Sequence, residues 1–288
     1  MDLSQSKKAL ESHVDELGQP FVSFFTGLWD LEESIVPVDW TPEDASKLTD
    51  AMAKGETAFS IDAPKISQEY LVESLESALA FIGMYVDDFA PVGKKFAELK
   101  KEYDAGEREI SEGVLDIVFT QPEVFIDELA EMLEIDKESE LYHYLRLAVA
   151  TVLEPTAVEA ASKIELPKEL GFKTGVCPVC GAQATMGMLK NVGEMHGSPR
   201  ELSCGFCGTH WPFPRIKCTW CGSTNPEDLD FSFDEGNMNK RVYTCKKCGG
   251  TQKIVLESTD EVANDARANE LLMLPLEQAV LESLEDAE

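Results

Sequence analysis

Cys177-Pro-Val-Cys180-Gly, Cys204-Gly-Phe-Cys207-Gly, Cys218-Thr-Trp-Cys221-Gly and Cys245-Lys-Lys-Cys248-Gly decide how this chain is read. They hold all eight cysteines of a 288-residue sequence. Two cysteines spaced C-x-x-C can turn both sulfurs toward one ion, and a glycine directly after lets backbone N–H groups approach the thiolates. The pairs also repeat. Each cysteine of the first two pairs recurs 41 positions later, so one unit, C-x2-C-x23-C-x2-C, is written twice with 10 residues between copies. If the unit was duplicated whole, Cys177, Cys180, Cys204 and Cys207 form one tetrahedral thiolate site, and Cys218, Cys221, Cys245 and Cys248 form a second. Interleaved pairing is the alternative, and it breaks the symmetry of the spacing.

Around this segment the composition sets bounds. A hydrophobic fraction of 43% is enough for a buried core, and the length suits two domains. No apolar run of about 18 residues occurs; the richest stretch, Phe21 to Val36, is interrupted by Asp30, Glu32 and Glu33. No membrane insertion is expected. The start, MDLSQSKKALESH, is polar and leads into a helical pattern, so no signal or transit peptide is expected and the protein is placed in the cytoplasm. There thiols stay reduced, and C-x-x-C pairs bind metal more often than they form structural disulfides.

The formal charge of −29 divides unevenly: −23 over residues 1–170, +3 over 171–256 and −9 over 257–288. Eight thiolates around two divalent ions bring the cysteine segment near neutrality. Two acidic flanks then repel phosphate, which argues against a zinc-ribbon protein that binds nucleic acid.

Residues 1–170 read as helical. Apolar residues recur at three- and four-residue intervals, as in Leu71, Leu75, Leu79, Ile82 and in Leu141, Leu145, Val149, Val152. Expected helices cover about 4–17, 20–33, 41–54, 67–85, 94–104, 111–119, 122–133, 138–153 and 155–164. The third is capped at Thr41, with Pro42 in its first turn, and stopped by Gly55. No catalytic constellation emerges, since His13 and His143 are isolated and the acidic pairs Glu32-Glu33 and Asp87-Asp88 read as solvated faces. Pro167 and Gly171 mark the boundary at which the charge changes sign. Strand-like pieces follow at 184–192, 200–203, 230–233, 241–244 and 252–256, then helix from Thr259 broken by Pro275. The expected architecture is therefore multidomain and mainly α. It comprises an acidic α-helical bundle (1–170), two tandem zinc-ribbon-like four-cysteine modules (171–214 and 215–256) and a C-terminal helical, acidic tail (257–288). The cysteine segment is lean in aliphatic residues, so metal must supply much of its folding free energy.

The elements Arg200-Glu-Leu-Ser-Cys-Gly-Phe-Cys-Gly-Thr-His-Trp211, Arg215-Ile-Lys-Cys218 and Tyr243-Thr-Cys-Lys-Lys-Cys248 resemble the FdhE family, accessory proteins that mature bacterial formate dehydrogenases. The resemblance covers about 174–256; Asp265-Ala-Arg267 is similar to a piece of that family's C-terminal helix. It implies rubredoxin-like modules and no enzymatic activity. It also implies binding to the catalytic subunit of a molybdenum- or tungsten-dependent formate dehydrogenase in the cytoplasm, and iron at the cysteines.

The leading expectation is thus a chaperone for maturation with two metal ions, iron first and zinc as alternative or substitute. Its docking face is read around Arg200, Arg215, Lys217 and Arg241 with Lys246 and Lys247, where the bland reading is ordinary solvated charge. Trp211 and Trp220 are either partner anchors or the apolar filling of a small ribbon. A rubredoxin-like electron-transfer or redox-sensing protein is the alternative, because inert zinc and redox-active iron take the same four thiolates. Thiol–disulfide exchange ranks below both, since it predicts pairs that act alone.

Overall fold

The periodic segments of the N-terminal half close around one apolar helix. In the computed structural model, which describes residues 2–190, 199–234, 236–260 and 262–285, this half contains α1 (Ser4–Glu11), α2 (Val14–Leu17), α3 (Gln19–Ser34), α4 (Ala45–Lys54), α5 (Ala58–Ile61), α6 (Gln68–Tyr85), α7 (Ala90–Asp104), α8 (Glu112–Ile117), α9 (Pro122–Leu133) and α10 (Glu140–Ala161). Helix α10 sits at the centre. It buries Leu145, Val149, Val152 and Leu153, and its main neighbours are α3, α6 and α9. Residues 191 and 192 of the expected 184–192 strand, and residues 286–288 of the acidic tail, lie outside the described residues.

Three helix boundaries differ from the expectation for identifiable reasons. The stretch 4–17 is two helices, because the Ser12 Oγ and His13 Nδ1 atoms both contact Ala9 O at 2.8 Å and compete for a helix carbonyl. The helix placed at 41–54 starts at Ala45: Asp44, not Thr41, is its cap, accepting from the N–H groups of Ser46 and Lys47. Gly55 ends it in the left-handed region as expected, at φ +88°. The segments 138–153 and 155–164 are one helix, α10, with Pro155 inside it. Pro155 removes one helical hydrogen bond, and burial of Leu153, Pro155, Thr156 and Ala157 holds the helix across the gap.

The two cysteine units build a single sheet of β1 (Met186–Leu189), β2 (Arg200–Ser203), β3 (His210–Phe213), β4 (Leu229–Asp234), β5 (Asn237–Cys245) and β6 (Thr251–Leu256). Strand order is β3-β2-β1-β6-β5-β4. Each copy supplies an antiparallel trio, and the trios join through a parallel pairing of β1 with β6, Met186 opposite Lys253. The short strand β3 was not expected from the sequence. After the sheet come α11 (Ala266–Leu272) and α12 (Leu274–Glu285), which buries Val280 in a small cluster with Met186, Val242, Val255 and Met273. The main core does not stop at the sheet. Val149 and Leu153 of α10 share one apolar cluster with Cys177, Val179, Cys204, Leu202 and Trp211.

Candidate metal centres

Four turns of one design hold the cysteines. In each, the first cysteine's carbonyl accepts from the N–H of the following glycine: Gly181 to Cys177 at 3.0 Å, Gly208 to Cys204 at 3.1 Å, Gly222 to Cys218 at 3.1 Å and Gly249 to Cys245 at 2.8 Å. The same four cysteines donate their N–H to the residue just beyond, Ala182, Thr209, Ser223 and Gly250. Closing so tight a turn requires positive φ at the glycine, between +69° and +86° in all four, which a side chain would strain. At Cys218 the turn also aims two N–H groups, of Trp220 and Cys221, at the sulfur from 3.4 Å. The glycines therefore shape the turn first, and the thiolate contacts follow from that shape.

The turns meet in sequential pairs. Cys177 Sγ lies 3.5 Å from Cys207 Sγ, and Cys180 Sγ lies 3.5 Å from Cys204 Sγ. In the second group Cys218 to Cys248 is 3.7 Å and Cys221 to Cys245 is 3.8 Å. Within each group all four sulfurs fall within 4.8 Å of one another. These separations are too long for disulfides. A tetrahedral ion with metal–sulfur bonds of about 2.3 Å places its ligands about 3.8 Å apart, so both quartets have the dimensions of a four-thiolate site.

The electrostatics agree. Contacts with Cys177 and the other sulfurs push Cys180 and Cys204 well above the ordinary thiol range while pulling Cys207 down. Burial pushes Cys218 up to about 12, and the Ser223 N–H draws Cys221 down to about 7. Four sulfurs in one place resist ionising together, and a divalent cation is what lets them. The residues present fit a metal ion at each quartet.

The quartets differ in setting. All four sulfurs of the first are buried, under the helical body, whereas Cys221 and Cys248 of the second are exposed. Of the residues read as a docking face, Arg215, Trp220, Lys246 and Lys247 are exposed, and Lys217 and Arg241 are half-buried. Arg200 corrects that reading, and of the two alternatives for Trp211 burial favours the apolar filling over the docking anchor: they are 4% and 2% exposed and cannot offer a surface. Trp211 faces inward because β2–β3 alternation puts it opposite Leu202 in the core. Arg200 sits over the Phe213 ring at 4.8 Å and donates to Pro214 O and Lys217 O. Burial lowers its pKa to about 10, which leaves it a cation at neutral pH.

A partly buried ionic cluster escaped the sequence reading. Arg267 of α11 bonds both Glu32 of α3 and Glu154 of α10, pinning the C-terminal segment to the helical body beside the first quartet. Glu154 interrupting the apolar stripe of α10 was its one signal. A cleft of about 400 Å³, lined by Cys204, Gly205, His210, Asp265 and Glu270 among others, runs alongside. Among the described residues no helix is long and apolar enough to cross a membrane.

Comparison with known proteins agrees with the cysteine pattern. A family model, the FdhE central domain, matches residues 176–215. A protein described as an FdhE homolog from Aquifex aeolicus is 28% identical over 169 residues, 58% of each chain. An FdhE homolog from Pseudomonas aeruginosa is 34% identical over 111 residues, 37% of this chain and 35% of that one. The chain thus spans less than two thirds of the length of the curated relatives it matches. In fold the likeness is wider: the crystal structure of the P. aeruginosa FdhE protein aligns with a TM-score of 0.60 over 98% of this chain and 91% of that one, at 18% identity.

Proposed function

From a chain that resembles the FdhE proteins in sequence and in fold, we propose an accessory protein for the maturation of formate dehydrogenase, not itself an enzyme, working in the cytoplasm. The observation that carries this reading is the pair of four-cysteine groups set in one sheet on a helical body, in a chain whose relatives are FdhE homologs. The eight cysteines are its metal ligands, and iron is the first-choice ion with zinc as the substitute. Its working units are the acidic helical bundle (1–170), the two metal modules (171–214 and 215–256) and the C-terminal tail (257–288).

The partner is the catalytic subunit of a molybdenum- or tungsten-dependent formate dehydrogenase before its cofactor is in place. Docking falls to the surface around the second quartet, where Trp220, Arg215, Lys246 and Lys247 are exposed on an otherwise acidic chain. An exposed aromatic suits an apolar partner contact, and exposed cations on the same module suit an acidic one. The test is co-purification with that subunit made with and without its cofactor. Selective capture of the cofactor-free form is expected; no complex with either form, under anaerobic and aerobic conditions, ends the proposal.

A second reading, a redox-responsive centre, is favoured by the exposure of Cys221 and Cys248, because iron in four thiolates changes valence by one electron and needs a short path to its partner. A colourless, zinc-only chain from anaerobic purification counts against it.

A further inference from the structure

Arg200 is a cation buried without an anion. Among the described residues it forms no ion pair with a carboxylate; its two Nη2 hydrogen bonds go to the neutral carbonyls of Pro214 and Lys217, at 2.7 and 2.5 Å. Its Nε has no partner at all. Burying a guanidinium this way carries a severe desolvation cost unless negative charge lies close by. The neighbours supply it. Lys217 O belongs to the peptide that leads into Cys218, and Arg200 lines one narrow gap with Cys218, Cys245 and Tyr243. Four thiolates around a divalent ion keep a net charge of about −2.

We propose that Arg200, carried by strand β2 of the first cysteine copy, is the buried counter-cation and positioning residue of the second four-cysteine centre. The inference rests on the reading that this quartet holds a metal ion, and goes beyond it in assigning the residue that balances the centre's charge. It also ties the copies together. The guanidinium grips the entry to the second centre from a strand whose own turn, at Cys204, serves the first. The residue at the matching place in the second copy, Arg241, is half-exposed over Phe231 and bonds Met238 O, so it has no equivalent role.

The charge also has a direction. When iron occupies the centre, one electron taken from an electrode converts ferric to ferrous iron and moves the centre's net charge from about −1 to −2. A fixed neighbouring cation favours the more negative state. Removing it makes reduction harder.

The experiment compares full-length wild type with Arg200→Gln, which keeps a donor for the carbonyls, Arg200→Lys, which keeps the charge, and Arg241→Gln as control. Metal is counted first, after loading with zinc alone. Wild type with two ions is the expected start; one ion, with Cys221 and Cys248 freely alkylated, overturns both the second centre and this proposal. With two ions bound, Arg200→Gln is expected to release the second ion to a chelator roughly tenfold faster, with the first unaffected. Arg200→Lys and Arg241→Gln stay near wild type. In the iron-loaded chain the same Gln variant lowers the ferrous-to-ferric ratio of one centre about tenfold at fixed potential, a shift of about 59 mV. Equal loss in the Gln and Lys variants, or no change in either, overturns the assignment while leaving the second metal centre standing. Should Arg200→Gln not fold, a folded Arg200→Lys with two ions supports the charge role, and failure of both overturns it.

Discussion

The first and second quartets share one local design and differ in almost everything around it. Both use two glycine-closed turns, and both gather their sulfurs to nearly the same separations. The first is packed into the apolar cluster of the helical body, with all four cysteines buried. The second stands at the far half of the sheet with two cysteines in solvent. A duplicated ligand set thus yields two sites of unequal accessibility, because position in the fold rather than ligand chemistry decides how far an ion is shielded. The first quartet is suited to holding the molecule together, and the second to meeting something outside it.

Substituting a ligand in each quartet is the strongest way to break this contrast. Cys204→Ser should lose one ion and, on the order of 10 kcal/mol of coordination energy being withdrawn from a shared core, lower the melting of the helical body as well. Cys248→Ser should also lose one ion but leave the helical melting near that of the parent. Calorimetry with metal analysis reads both, and equal effects on the helical transition would erase the distinction.

Next in size is the wall beside the first quartet. Arg267→Ala strands the buried Glu32 carboxylate and the half-buried Glu154, and should cost about 3 kcal/mol, the lower end of what removing one partner of a buried ion pair does. Amide hydrogen exchange in α11 should rise along with it. Unchanged protection there would mean that the C-terminal segment is held by its apolar contacts alone.

The smallest effect is the dependence on pH. Burial holds Glu154 well above its ordinary value of 4.5, against the pull of Arg267. A carboxyl whose folded value exceeds its unfolded one contributes stability that is complete below the unfolded value and is lost as pH rises through the folded one. Wild type should therefore lose ground to Glu154→Gln as pH climbs above the ordinary carboxyl value, because the ionised form is the one the fold disfavours. Parallel stability curves for the two chains would show that this carboxyl does not titrate in the fold.

What the sequence revealed followed the range of the forces involved. The eight cysteines and the helical character of 1–170 are local or periodic, and spacing displays them; sequential pairing was the reading the repeat favoured over an interleaved one, and the sulfur separations decide it. Pro155 inside α10 was misread as a break because local propensity is overridden by burial on both sides of the residue. Arg200 was expected on a surface, and Trp211 was left between anchor and filling, because charge and aromaticity do not reveal which face of a strand turns inward; the pairing of β2 with β3 and of β1 with β6 does. The cluster of Glu32, Glu154 and Arg267 joins residues 113 and 235 positions apart. No pattern within one segment points to it.

The central claim is tested most directly by following metal loss from the intact chain by native mass spectrometry after a chelator is added. The account predicts two ions per folded chain, departing in two steps: a fast loss from the quartet with exposed Cys221 and Cys248, then a loss at least tenfold slower from the buried one. A chain that is folded with no ion, or one whose two ions leave together, would contradict it.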